Sequence, residues 1–361
     1  MTAEDAPDGA GTRLPGLDLA RALAIFAMVL VNFDVALSAE GGPPWLESAT
    51  ALFQGRASAL FVILAGMGLT LLARANPARA RGRILRRSLA LCILGYAFSL
   101  LWPGDILHYY GFYFLLGCFC LRLSDHQLLA LAIGSVLAFP LLIIGGLDYE
   151  AGWNWQTLHY AGFWTVAGQT RNLLFNGFHP LLPWGAFLLF GQWLGRRMTA
   201  EPRFNARLAG IAAALALSAE ALSSLASTLP ALGETGRLFF ATASMPPMPL
   251  YMLAAGAEAC LVIALSMRLM QFAATRRNAK RIITPLIHTG QLALTIYVAH
   301  VVFGILPPWI LFESNGEPAL DRGLVVLWWL LTCALCVFSA QRWRRRFGRG
   351  PLEAILRRVT G

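Results

Sequence analysis

The chain has 361 residues, 57% hydrophobic and 13% charged, with a mean hydropathy of +0.59 and a formal net charge of +10. So little polar surface cannot coat a water-soluble globule, which excludes a soluble enzyme or binding domain and leaves the bilayer as solvent. The basic balance would also suit a nucleic-acid binder, but the arginines fall where membrane topology requires them, so no nucleic-acid partner is expected.

A hydrocarbon core about 30 Å thick needs about 20 mainly apolar residues per helix. Such runs predict spans near 17–37, 57–74, 84–102, 106–122, 127–146, 179–195, 207–228, 250–271, 284–305 and 323–341. Continuous stretches such as Leu128–Gly146 lack the period-two alternation of a β-barrel. The expected fold is therefore all-α, a polytopic integral membrane helix bundle of about ten transmembrane helices. Residues 1–12 read as a disordered N-terminal tail without a cleavable signal, 13–346 as the membrane domain, and 347–361 as a cytoplasmic C-terminal tail.

Span one carries Asp18, Arg21, Ile25, Met28 and Asn32 at alternating spacings of three and four, so they share one helix face. Asp18 to Asn32 covers about 21 Å at 1.5 Å per residue, long enough to line a transverse path. The alternative is an Asp18 N-cap with Arg21 as a topology charge. Asn32 and Asp34 close this span, and Arg56 and Ser58 open the second. Asp105 and His108 open span four, where Asp105 can cap the helix or orient the imidazole for proton transfer. His179 opens span six beside Trp184, as an interfacial anchor or as a functional group. Gly191 and Gly195 in that span form a GxxxG that implies close helix packing. Glu220 and Glu258 lie inside spans seven and eight with no evident partner. Tyr297 and His300 end span nine, where a lone imidazole in apolar surroundings is costly. His126, His159 and His288 receive no role. All six cysteines fall within spans and behave as small apolar side chains, Cys333 and Cys336 included, so neither a disulfide nor a metal site is expected.

Every second loop is basic: Arg74–Arg87, Arg196–Arg207 and Arg276–Arg281 hold clusters, as does Arg342–Arg346 after the last span. Since short cytoplasmic loops carry the excess of Lys and Arg, both termini are expected in the cytoplasm. Asn32, Asp34, Arg56, Asp105, His108, His179 and His300 then share one extracytoplasmic layer. Ionisable groups there are functional candidates, because each costs several kcal/mol unless paired or wetted.

RLPGLDLARALAIFAMVLVNF at 13–33 resembles the opening helix of the heparan-α-glucosaminide N-acetyltransferase family. FQGRASALFVILAGMGLTLL at 53–72, GDILHYYGFYFLLG at 104–117, HPLLPWGAFLLFGQWLGR at 179–196 and TGQLALTIYVAH at 289–300 are similar to that family and its bacterial YeiB-type relatives. The resemblance implies transmembrane acyl transfer from cytoplasmic acetyl-CoA to a sugar or glycan acceptor on the far side, with Asp18, Arg21 and Arg56 expected at the acyl-CoA. Asn32 matches the asparagine near which the acyl group is expected, and Asp18 and Arg21 match the family's Asp-x-x-Arg. In the lysosomal enzyme the catalytic histidine follows that asparagine, whereas Phe33–Gly55 contains none. His108, His179 or His300 would then serve as base, oriented by Asp34 or Asp105, with Asn32 or Arg56 stabilising the oxyanion. A transporter or lipid-linked-sugar exporter is the competing class, and a member that binds acyl-CoA without turnover is a third. The expected setting is a bacterial plasma membrane with its lipids, a homodimer being one open assembly.

Overall fold

The computed structural model describes residues 14–200, 203–312 and 320–361, so the tail expected at 1–12 lies outside the described residues. Among the described residues the regular structure is helical apart from one short hairpin and an isolated bridge between Glu40 and Asp321, because a segment crossing lipid must satisfy its backbone groups internally. Helix α1 (Pro15–Ala36) starts on proline, whose missing N–H falls where no intrahelical acceptor exists. A short α2 (Pro44–Ala51) precedes α3 (Arg56–Ala75). Helix α4 (Pro77–Phe98) follows after one residue, and the Asn76 side chain caps it by accepting from the Arg79 N–H at 3.2 Å. Next come α5 (Leu107–Cys120) and α6 (Asp125–Ile144), the latter opened by a reciprocal Ser124/Gln127 capping box.

Strands β1 (Trp153–Asn154) and β2 (His159–Tyr160) then pair antiparallel. Helix α7 (Val166–Arg171) runs into a π-helical turn at Asn172–Asn176, and α8 (Leu181–Ala200) leaves it at a bend of 54°. Helix α9 (Phe204–Thr228), the short α10 (Gly233–Phe239) and α11 (Pro249–Ala274) follow. The amphipathic α12 (Arg277–Gln291) ends at Leu292, and α13 (Ala293–Ala299) continues through a second π-helical stretch, His300–Ile305, into α14 (Leu306–Phe312). Helix α15 (Arg322–Phe347) and α16 (Pro351–Thr360) complete the chain.

Seven helical segments among the described residues are long and apolar enough to cross a membrane, or eight if the bent α7/α8 pair is one span. The protein is a multi-pass membrane protein. Of the ten expected spans, α4 and α5 fall short of these requirements. Arg79, Arg81, Arg83, Arg86 and Arg87 occupy the first half of α4, and α5 has only 14 residues. The ninth span begins at Ala293 rather than near 284, because α12 is a separate basic helix.

Arginine contacts bring the basic turns together at one end of the bundle. Arg196 donates to the carbonyls of Leu121 and Leu123 at 3.0 and 2.7 Å, and the Arg196 carbonyl accepts from Arg74 at 3.3 Å. Arg86 donates to the Thr360 carbonyl at 3.0 Å. The segment expected as a C-terminal tail thus holds α16, which packs on α4 and α13. Ten residues with three charges are too short and too polar to register as a span, and their docking depends on groups distant in sequence.

Helix α3 packs along α8, where the glycines of the GxxxG lie against its backbone. A Cβ on Gly191 would sit 2.3 Å from the Ile63 carbonyl oxygen, and one on Gly195 3.0 Å from the Met67 Cα. Gly191→Ala is therefore expected to cost about 1–3 kcal/mol by forcing the helices apart, seen as a lower melting temperature of the purified protein in detergent.

Candidate functional site

Two cavities lie along the inner face of α1. The larger, about 600 Å³, opens among the arginines: Asp18, Arg21, Arg87, Gln291, Arg344 and Arg357 are among its lining groups, and it reaches Tyr110 and Tyr297 at its inner end. The smaller, about 150 Å³, is lined by Asn32, Ser58, Trp102, Phe178, His179 and Trp184, among others. Met28 and Ile106 line both, so the two cavities meet across these side chains. Four residues of the α1 stripe, Asp18, Arg21, Met28 and Asn32, face this path, while Ile25 is packed into the core.

At the arginine-rich end Asp18 does not cap α1, whose N-cap is Leu14 without a side-chain cap. Its carboxylate instead accepts from Arg21 at 2.5 Å and from the Gln291 amide at 2.9 Å. Helix α12 can come this close because Gly290 lies on the Asp18 backbone, where a Cβ would stand 1.8 Å from the carbonyl oxygen.

Asn32 and His300 meet at the opposite end of the stripe, Nδ2 to Nε2 at 2.9 Å. The pair is complementary in either amide orientation, since Nδ2 donates to a bare Nε2 and Oδ1 accepts from a protonated one. His300 is 2% exposed and reaches the smaller cavity through Asn32. It sits on the first residue of a π-helical stretch, a local widening that frequently marks functional sites.

Asp105 contacts His108 twice through one oxygen. Its Oδ2 accepts from the His108 backbone N–H at 3.1 Å and lies 3.0 Å from His108 Nδ1. Tyr297 joins this group by donating to Asp105 Oδ1 at 3.3 Å while accepting from the Ile106 N–H at 3.1 Å. The His108 ring stacks on Tyr96 with centroids 5.2 Å apart and lines neither cavity. His179 lines the smaller cavity directly, its ring 4.7 Å from Trp184, and its Nδ1 is buried without a hydrogen-bond partner among the described residues.

Two expected site residues are engaged elsewhere. Asp34 pairs with Arg322 at 3.2 Å and ties α1 to α15, so it does not orient a histidine. Arg56, expected in the outer layer at the acyl-CoA or as an oxyanion donor, contacts Glu220 at 2.5 Å and Glu258 at 2.7 Å and lines neither cavity. These carboxylates thereby gain the partner that sequence did not show. In the other direction, Arg87, Arg344, Arg349, Arg357 and Gln291 line the larger cavity and were read only as topology charges or not singled out. Nothing in local spacing marks them, because they come from four separate helices and one turn.

A polar roof holds the segment above the smaller cavity. The Asn176 side chain donates to the carbonyls of Tyr149 and Ala151 at 2.9 and 2.8 Å and accepts from the Tyr160 hydroxyl at 2.7 Å. Burial raises the Tyr160 phenol above its ordinary range, opposed by the Arg171 guanidinium that donates to it at 2.7 Å. Kept neutral, that hydroxyl can donate and accept at once. Leu158 of the hairpin turn and Phe178 project into the cavity wall from this roof.

A family profile described as heparan-alpha-glucosaminide N-acetyltransferase, catalytic, matches residues 13–226, more than half of the chain, and so includes Asn32, Asp105, His108 and His179. A second, described as a protein of unknown function, DUF418, matches 192–361, which holds Tyr297, His300 and the C-terminal arginines. No curated protein matches the chain. Together the two profiles span both halves of the path along α1, and the chain belongs to the heparan-alpha-glucosaminide N-acetyltransferase catalytic family, in its YeiB-like branch.

Proposed function

We propose that the protein is a membrane-embedded acyltransferase that carries an acyl group from cytoplasmic acyl-CoA to a sugar or cell-envelope glycan acceptor on the extracytoplasmic side. The observation that carries this reading is the junction of an arginine-rich cavity with a histidine-bearing one at Met28 and Ile106. One end offers guanidiniums to phosphates, and the other offers an imidazole and an amide where a thioester and an acceptor can meet. Ten crossings with both termini in the cytoplasm of a bacterial plasma membrane put the arginine-rich end inside. The α1 stripe runs roughly 21 Å from Asp18 to Asn32, the direction along which a donor's pantetheine arm would extend from the arginine-rich end.

In the proposed reaction His179 removes the proton from the acceptor hydroxyl or amine as its oxygen or nitrogen attacks the thioester carbon. Asn32, held by His300, donates to the carbonyl oxygen as it becomes negative. The carbon–sulfur bond breaks, and the leaving thiolate takes a proton from the His179 imidazolium, giving an acylated acceptor and free CoA thiol. Asp105, His108 and Tyr297 brace the wall behind this centre.

The test uses proteoliposomes with labelled acetyl-CoA on the arginine-rich side and glucosamine or an oligosaccharide on the other. Thiol release with label appearing on the acceptor is the expected result, and Asn32→Ala should lower turnover about 10²–10³-fold. No thiol release with any acceptor would remove the acyl-transfer reading. A transporter is the second reading, favoured by the 54° bend before α8 and the π-helical break at His300, because broken helices line the substrate paths of many transporters. Facilitated solute flux without thiol release would establish it.

A further inference from the structure

The smaller cavity differs from the larger in its charge. Among the described residues that line it there is no Asp, Glu, Lys or Arg; its polar side chains are amides, hydroxyls, indoles and the His179 imidazole. Glu220 and Glu258 are paired with Arg56 and line neither cavity. At about 150 Å³ it lies below the usual range of small-molecule pockets, about 300–1,000 Å³, and has room for one small ring.

Its indoles are also unlike the others. Trp153, Trp328, Trp329 and Trp343 each donate the ring N–H to a backbone carbonyl, at 2.6, 2.8, 2.7 and 2.7 Å. Trp102 and Trp184, 6% and 1% exposed, are the two tryptophans among the described residues whose buried N–H meets no acceptor, and both line this cavity. An indole N–H can only donate, and a buried donor without an acceptor has lost its hydration for nothing in return. Two such donors with the aromatic faces of Trp102, Phe178 and Trp184 suit a ligand that has flat C–H faces and acceptor oxygens around its edge. A sugar ring has that chemistry. An ammonium group brings further donors and a charge that no carboxylate of the lining meets, and burying an unpaired charge costs far more than burying a hydroxyl.

We infer that the acceptor is a neutral, hydroxyl-bearing sugar ring bound against Trp102 and Trp184, and that the product is an oxygen ester, not an amide. This rests on the acyl-transfer reading for the reaction, and it departs from the N-acetylation of a glucosaminide that describes the matched family. The hydroxyl oxygen forms the bond to the thioester carbon, its proton passes to His179, and the thiolate released as the carbon–sulfur bond breaks takes that proton up. A base at this position matches an alcohol, which is a poor nucleophile until its proton is removed, whereas a neutral amine attacks unaided.

Methyl glucoside and methyl glucosaminide are titrated calorimetrically into the full-length protein in nanodiscs without acyl-CoA, from about pH 6 to about pH 8.5, the range over which such an amine loses its proton. At the acid end the glucoside is expected to bind at least ~10-fold more tightly, and the gap should narrow as the amine becomes neutral. Trp102→Phe and Trp184→Phe keep a flat ring but remove the N–H, so each should weaken the glucoside about 3- to 10-fold. Trp45→Phe, at a side chain 67% exposed and outside both cavities, should bind as the parent does. Equal or tighter binding of the glucosaminide at the acid end, binding of neither sugar, or unchanged glucoside affinity in both folded indole variants overturns the proposal. Proteoliposomes given labelled acetyl-CoA then identify the product, since hydroxylamine releases label from an ester and leaves an amide intact. Label held as an amide overturns the proposal and leaves acyl transfer standing. Glucoside binding through the two indoles without thiol release overturns acyl transfer and leaves the sugar site standing.

Discussion

His179→Ala is expected to reduce acyl transfer about 10²–10⁴-fold, the usual contribution of a positioned general base, while CoA binding at the far cavity stays unchanged. Asn32 and His300 occupy one another, and His108 is stacked behind the wall without lining either cavity. Among the three candidate bases, His179 is the one that lines the smaller cavity. Single-turnover measurements on His108→Ala, His179→Ala and His300→Ala separate the roles. The His179 variant should lose the chemical step, the His300 variant should resemble Asn32→Ala because it releases that amide, and the His108 variant should lose least. If His108→Ala proves the most damaged and His179→Ala keeps full turnover, the base has been assigned to the wrong helix.

Arg56→Ala should destabilise the folded protein by about 3 kcal/mol, the low end expected on breaking a buried ion pair, because the site is only partly buried. Arg56 is 15% exposed and touches two carboxylates whose side chains are 39% and 28% exposed. Thr242 adds a hydrogen bond to Glu220 at 2.9 Å. Without the guanidinium, two adjacent carboxylates remain with no countercharge. Removing all three charges together, as Arg56→Gln with Glu220→Gln and Glu258→Gln, should restore most of the loss. Equilibrium unfolding in mixed detergent micelles measures both, and a neutral Arg56→Ala would show that water or lipid headgroups already screen the cluster.

The architecture was legible where the signal is local. Apolar runs of about 20 residues located most of the helices, and the 3,4 spacing on α1 identified the face that four of its five residues turn to the cavities. The GxxxG of α8 marked a close helix contact, which the structure places against α3. Where charge and apolarity compete within one helix, the reading weakened. Helix α4 spends its first half on arginines, α12 separates from α13 at Leu292, and α16 is amphipathic and short.

Site residues divided along the same line. The i,i+3 spacing of Asp105 and His108 announced their hydrogen bond, but nothing near Asp34 foretold Arg322, and nothing near Arg56 foretold Glu220 or Glu258. An ionisable residue in a bilayer must find a partner or water; sequence states that need without naming the partner.

The sequence by itself determined that this is an α-helical membrane protein, which end of the bundle is basic, and which face of α1 turns inward, because hydrophobic periodicity and loop charge act over a few turns of one segment. Tertiary structure decided that Asn32 meets His300, that Asp34 pairs with Arg322 and Arg56 with Glu220 and Glu258, and that Arg349 and Arg357 reach the larger cavity. Those outcomes depend on which helices become neighbours, and neighbour choice is set by close packing and partner satisfaction across hundreds of residues, terms that no local pattern encodes.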